Sequence, residues 1–148
     1  MLEIKNSKIR KKRRFKLKKF TDILLWTALV LAVLFFAYQR GYILAPFPSV
    51  SAKEAYNMIK NDSNVTVLDV RTKEEYEKDG HIAKATLIPV QVLSNNLNKL
   101  PKDKKIIVYC RSGHRSVKAS RILEENGFHP ININGGIKEW KRNNLPVE

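Results

Sequence analysis

The chain of 148 residues contains a single cysteine, Cys110. That excludes an internal disulfide framework and a cysteine-rich zinc site. A thiol without an internal partner is either an inert core residue or a chemical one. Acid is scarce at the start: residues 1–19, MLEIKNSKIRKKRRFKLKK, hold ten Lys or Arg and one acid, Glu3. Charge, proline and glycine are all missing from residues 23–38, ILLWTALVLAVLFFAY. No internal repeat or low-complexity segment is visible in the remainder, and the length suits one domain with a core plus an appendage.

The formal net charge of +14 invites a nucleic-acid reading until its position is considered. Residues 41–148 carry seventeen basic and twelve acidic residues, so the basicity is mostly a property of residues 1–19. Such a block of like charges repels itself and stays solvated or sits on anionic surfaces. The apolar run that follows explains it as a topology signal, and no nucleic-acid partner is expected.

As a helix, the apolar run covers roughly 24 Å, a little short of a bilayer core of about 30 Å. Phe20, Thr21, Gln39 and Tyr42 extend it, because Lys19 and Arg40 can snorkel outward. Trp26, Tyr38 and Tyr42 lie near the edges, where amphipathic rings favour headgroups. A cleaved signal is the competing reading, but the run exceeds the usual about 7–15 residues and no small-x-small cleavage site follows. The expectation is one transmembrane anchor over residues 20–42. Arg40 and Lys53 are the sole cations in the next twenty positions. The positive-inside bias therefore puts residues 1–19 in the cytoplasm and the C-terminal domain across the membrane. Residues 43–50, with Pro46 and Pro48, read as a stiff extended linker. The compact domain then spans residues 51–148.

Within it, Ser51-Ala-Lys-Glu54 is a capping box that opens a helix to about Asn61. VTVLDV, residues 65–70, reads as a buried parallel strand. A second box, Thr72-Lys-Glu-Glu75, starts a short helix that stops before Gly80. ATLIPV is a weaker strand, broken by Pro89, and QVLSNNLNKL, residues 91–100, fits a helix. IIVYC, residues 106–110, is the strongest strand signal. VKASRILEEN, residues 117–126, has apolar residues at helical spacing and Gly127 as its stop. PINI reads as a strand before Gly135-Gly136, and IKEWKRNN as a final helix. Strands alternating with helices define an α/β class with a mostly parallel central sheet flanked by helices, three layers in all.

Cys110 thus falls at the end of the strongest strand, just before a helix, where ligands collect in open parallel sheets. The intervening loop is Arg111, Ser112, Gly113, His114, Arg115 and Ser116. It can curl so that several backbone N–H groups converge, backed by the next helix's N-terminus, and bind an anion. Gly113 permits the dihedrals of such a curl. Arg111, His114 and Arg115 add positive potential, and Arg115 suits an oxyanion held by two parallel bonds. The same field favours the thiolate. A small buried hydrophobe is the alternative for a lone cysteine after a strand. The concentration of cations and hydroxyls around this one favours a reactive sulfur.

The pieces LDVRTKEEYEKDGHIAKATLIP, VYCRSGHRS and GFHPININGGIKEW, spread over residues 50–146, resemble the rhodanese family of sulfurtransferases. The hallmarks occur in order as Asp69, Arg71, Glu75, Tyr76, Gly80, His81, Ile82, Pro89, the cysteine loop, Gly135, Gly136 and Trp140. One position departs: Lys84 stands where the family usually has glycine. The resemblance implies a rhodanese-like fold and a two-step covalent reaction. Cys110 takes the outer sulfur of a thiosulfate-like or persulfide donor and passes it to a thiol or cyanide acceptor. It further implies that Arg111 and Arg115 bind the sulfite-like group, and that no metal or organic cofactor is required.

Other side chains receive plainer expectations. Asp69 and Arg71 form an internal charge pair supporting the loop. His81 pins a turn, Trp140 belongs to the core, and His114 is either a loop cation or merely exposed. Related cysteine phosphatases and arsenate reductases use a loop one residue longer than Cys110-x-x-x-x-Arg115, which the family associates with phosphate rather than sulfur. A second reading, a persulfide carrier or sensor without turnover, shares the same site.

Overall fold

A computed structural model describes residues 2–39, 43 and 45–148, with side chains described from residue 18 onward. Arg40 and Tyr42, expected to close the apolar span, lie outside the described residues, as do Met1, Gly41 and Leu44. The chain divides into two units, residues 1–38 and residues 39–148.

The first unit is one helix, α1 (Leu2–Gln39). It continues through the basic segment, for which no helix was expected, in keeping with the good helix propensity of Lys and Arg. Its stretch Lys18–Gln39 is long and apolar enough to cross a membrane, and none of that stretch is buried within the chain. Leu25 and Trp26 are each more than two-thirds exposed.

The second unit is a three-layer α/β domain. In chain order it contains β1 (Ser49–Val50), α2 (Ala52–Asn61), β2 (Val65–Asp69), α3 (Lys73–Lys78) and β3 (Thr86–Leu87). Then come β4 (Lys105–Tyr109), α4 (His114–Glu125), β5 (His129–Ile133) and α5 (Gly136–Arg142). All five strands are parallel, in the order β1-β5-β4-β2-β3. Both capping boxes form: Ser51 Oγ accepts from Glu54 N and Thr72 Oγ1 from Glu75 N, each at 3.3 Å. The alternation of β4 divides the core. Ile106 and Val108 join Leu93, Leu100, Ala119 and Leu123 on one face, while Ile107 and Tyr109 join Ala55, Ile137 and Trp140 on the other. Burial on both faces is why β2 and β4 read as continuous apolar runs.

Three details differ from the sequence expectations. The sheet begins inside the segment read as a linker: Ser49 and Val50 pair with Asn132 and Ile133, and Phe47 is buried. Two residues are too few to show a strand period. Residues 91–100 form two 3₁₀ turns, Leu93–Asn95 and Leu97–Lys99, instead of a helix. Ser94 and three asparagines there compete for backbone hydrogen bonds, and Asn96 Nδ2 does donate to the Val92 carbonyl at 2.8 Å. Finally, α4 starts at His114 rather than Val117, so it reaches almost to Cys110.

Candidate functional site

Adjacent strands β2 and β4 send the chain in opposite directions across the sheet, β2 toward β3 and β4 toward β5. Their carboxyl ends therefore flank a topological switch point, where such sheets open a crevice. Cys110 follows directly on β4. Its residue is 1% exposed and belongs to the core cluster beneath α4.

Burial alone would suit the inert reading, but the sulfur has polar company. Sγ accepts from Gly113 N–H at 3.2 Å and lies 3.6 Å from Ser116 Oγ, to which the thiol donates. Ser116 Oγ in turn donates to the Gly113 carbonyl at 3.1 Å. The loop thus closes on its own sulfur. The backbone N–H that reaches it is that of Gly113. The rest of the expected cradle is the start of α4, whose N-terminus has no side-chain cap. Its first-turn N–H groups have no intrahelical acceptor and bring partial positive charge to the loop.

The loop's backbone is fastened from α5. The carbonyls of Cys110 and Arg111 accept from Ile137 N at 2.8 Å and Lys138 N at 3.1 Å. This close approach requires glycine at 136, where φ is +59° and a Cβ would stand 2.3 Å from the Cys110 carbonyl oxygen. Gly113, at φ +94°, likewise occupies the left-handed region. Sequence reasoning recognised the Gly135-Gly136 pair as a motif but missed its role as the loop's anchor. The signal was there, since paired glycines before a helix mark a close backbone approach.

The charges are distributed unlike the expectation. Arg111, Ser112 and His114 are exposed at the mouth, and Ser116 is buried against the sulfur. Arg115 does make two parallel bonds, but to a residue of the protein. Its Nη1 donates to Glu75 Oε2 at 2.6 Å and its Nη2 to Glu75 Oε1 at 2.7 Å. The fork expected to hold an oxyanion is engaged, because α3 carries a carboxylate to it. Arg115 holds the Glu75 carboxyl at about 2, well below its ordinary 4.5. Glu75, and to a smaller degree the Cys110 sulfur, raise the Arg115 guanidinium in return. Glu75 is the second residue that sequence reasoning left out of the site.

Asp69 and Arg71 are fully buried and paired at 2.7 Å, as an internal charge pair should be. Burial disfavours the Arg71 charge, and the bonds to Asp69 more than offset this. Arg71 also donates to the Glu75 carbonyl at 3.2 Å and the Gly80 carbonyl at 2.8 Å. Its support of the cysteine loop is therefore indirect, through α3 and Glu75. His81 stacks on Tyr76 and exchanges backbone bonds with Glu148, but its buried Nδ1 has no hydrogen-bond partner among the described residues, so the imidazole does not make the local bond expected to pin a turn. Trp140 is core, with Nε1 donating to the Pro146 carbonyl at 2.8 Å.

Chemically, this is a sulfur under a helix N-terminus with cations at its rim. Residues 51–143 match the model of the rhodanese-like domain. A sulfurtransferase of Allochromatium vinosum is 30% identical over 99 residues, 66% of this chain and 92% of that protein. The crystal structure of a rhodanese-related protein from Thermoplasma volcanium superposes with a TM-score of 0.64 at 35% identity, covering 69% of this chain and 98% of that one. The tRNA uridine(34) hydroxylase of Cronobacter sakazakii is 38% identical over 93 residues, but the chain spans only 26% of it.

Proposed function

The chain belongs to the rhodanese-like family, and from that premise we propose that it is a membrane-anchored sulfurtransferase working through a Cys110 persulfide. The supporting observation is the closed loop: a sulfur that receives the Gly113 N–H and faces the uncapped start of α4. In the first step the Cys110 thiolate attacks the outer sulfur of a sulfane donor. The donor's S–S bond breaks, its leaving group departs with the electron pair (sulfite, for thiosulfate), and the protein holds the persulfide. In the second step a thiolate or cyanide attacks the terminal sulfur and the Cys110 thiolate leaves. Gly113 N–H and the α4 dipole stabilise the sulfur anion in both steps. Ser116 Oγ gives the resting thiol an acceptor, and exposed Arg111 meets the donor. Neither step calls for a metal or an organic cofactor.

The test is intact-mass analysis of the full chain after thiosulfate, with thiocyanate production measured when cyanide follows. Gain of one sulfur atom on Cys110, its loss to cyanide, and the absence of both in Cys110→Ser are expected. A wild-type chain that takes up no sulfur from any sulfane donor defeats the reading.

The commitment of Arg115 to Glu75 favours a second reading, a persulfide carrier serving one protein partner. It predicts efficient charging with negligible cyanide-coupled turnover. Residues 20–42 are the membrane anchor in this reading, with residues 1–19 cytoplasmic and the rhodanese-like domain extracytoplasmic. Protease added to intact spheroplasts should digest the domain; protection until lysis reverses the topology.

A further inference from the structure

We propose that Glu75 sets the charge an incoming donor meets at Cys110, screening the sulfur from strongly anionic donors in favour of donors of low charge. The inference rests on Cys110 being the reactive sulfur. Arg115 lies in the first turn of α4, immediately before Ser116, whose Oγ is 3.6 Å from Sγ. A guanidinium so placed is a ready seat for an anion. Both of its terminal nitrogens are instead bound to one carboxylate, at 2.6 and 2.7 Å. Such a bidentate pair occupies the fork and cancels its net charge.

Glu75 is held to this role from behind. Its Oε2 also accepts from Thr72 N at 3.1 Å, and its backbone carbonyl accepts from Arg71, which is locked to Asp69. The carboxylate is thus positioned by a buried framework rather than by a free rotamer. Among the described residues near the loop, Arg111 and Lys138 are further cations and His114 lies beside them, all exposed. Glu75 acts through Arg115 and is a specificity-determining residue, not a catalytic one.

Alkylation of Cys110 in the full chain, solubilised in detergent, reads this charge directly. Iodoacetate and iodoacetamide react with the same thiolate and lose the same iodide, but only iodoacetate is an anion. Their rate ratio therefore reports local charge whatever the thiolate fraction. Glu75→Gln should raise the ratio about threefold to tenfold, the effect of uncovering one unit charge near a protein surface. Arg115→Gln, which leaves Glu75 bare, should lower it below wild type, and Glu75→Gln combined with Arg115→Gln should show no rise. Thr72→Ala removes the Thr72 Oγ1 bond to Glu75 Oε2 but leaves the pair with Arg115, so any rise should stay below that of Glu75→Gln. An unchanged ratio in Glu75→Gln overturns the proposal, as does a rise that persists in the double variant. A wild-type sulfur reached by neither reagent sinks the sulfurtransferase reading and this inference with it, an outcome distinct from an unchanged ratio.

Discussion

The loops after β2 and β4 leave the same edge of the sheet side by side, and both carry arginine. After β2, Arg71 turns inward, and its donors are spent on Asp69, the Glu75 carbonyl and the Gly80 carbonyl. After β4, Arg111 and His114 remain exposed, and the helix that follows has no side-chain cap. The difference separates scaffold from site. Polar groups whose partners all lie within the protein hold a loop in place, whereas groups left open are available to a ligand. Arg115 stands between these cases, since its partner Glu75 is internal yet only partly shielded from water.

The comparison breaks most severely at the buried pair. Asp69→Asn leaves Arg71 charged without its carboxylate and should cost about 3–5 kcal/mol, read as a lower urea midpoint. A cost below about 1 kcal/mol would mean that the β2 loop is not the scaffold described. Next comes the anchor of the β4 loop. Gly136→Ala drives a Cβ into the Cys110 carbonyl and should cost about 2–3 kcal/mol while impairing persulfide formation. Gly127→Ala is the control, with φ +74° but no atom within 4 Å of the added Cβ. It should cost about 1 kcal/mol and leave sulfur uptake intact.

Acid sharpens the intermediate case. The Glu75 carboxyl is lowered from 4.5 to about 2 in the folded protein, so its contribution to stability is complete above pH 4.5 and gone once pH falls through about 2. Wild type should therefore lose stability relative to Glu75→Gln across that window in denaturant titrations. Parallel curves would show that the pair contributes little.

The smallest effect lies away from both loops. Lys84 occupies the left-handed region, φ +60°, in a turn closed by Ala85 N to the Ile82 carbonyl at 3.1 Å. The usual glycine is absent there, yet the turn forms. Lys84→Gly should stabilise by about 0.5 kcal/mol, relief of the strain being partly offset by the freer unfolded chain. Sulfur uptake should not change.

Much of the molecule was legible in its residues because the signals were local. Both capping boxes, the apolar runs of β2 and β4, and the glycine that ends α4 each depend on a few neighbouring positions. The cysteine's place beside a helix start followed from the same local pattern. Residues 91–100 misled because spaced leucines suit a helix or successive 3₁₀ turns, and the asparagines decided between them. β1 escaped notice because pairing with β5, rather than its own sequence, makes it a strand.

By itself, the amino-acid order determined an α/β domain behind a basic, apolar helix, with one thiol set among cations after the central strand. Only the tertiary structure decided what those cations do. Glu75 and Arg115 are 40 positions apart, and Gly136 meets the Cys110 carbonyl from well outside its own stretch of chain. No periodicity or propensity spans such a separation. Their meeting depends on how helices pack at the ends of a parallel sheet, and there the ionic bond and the close backbone contact are made.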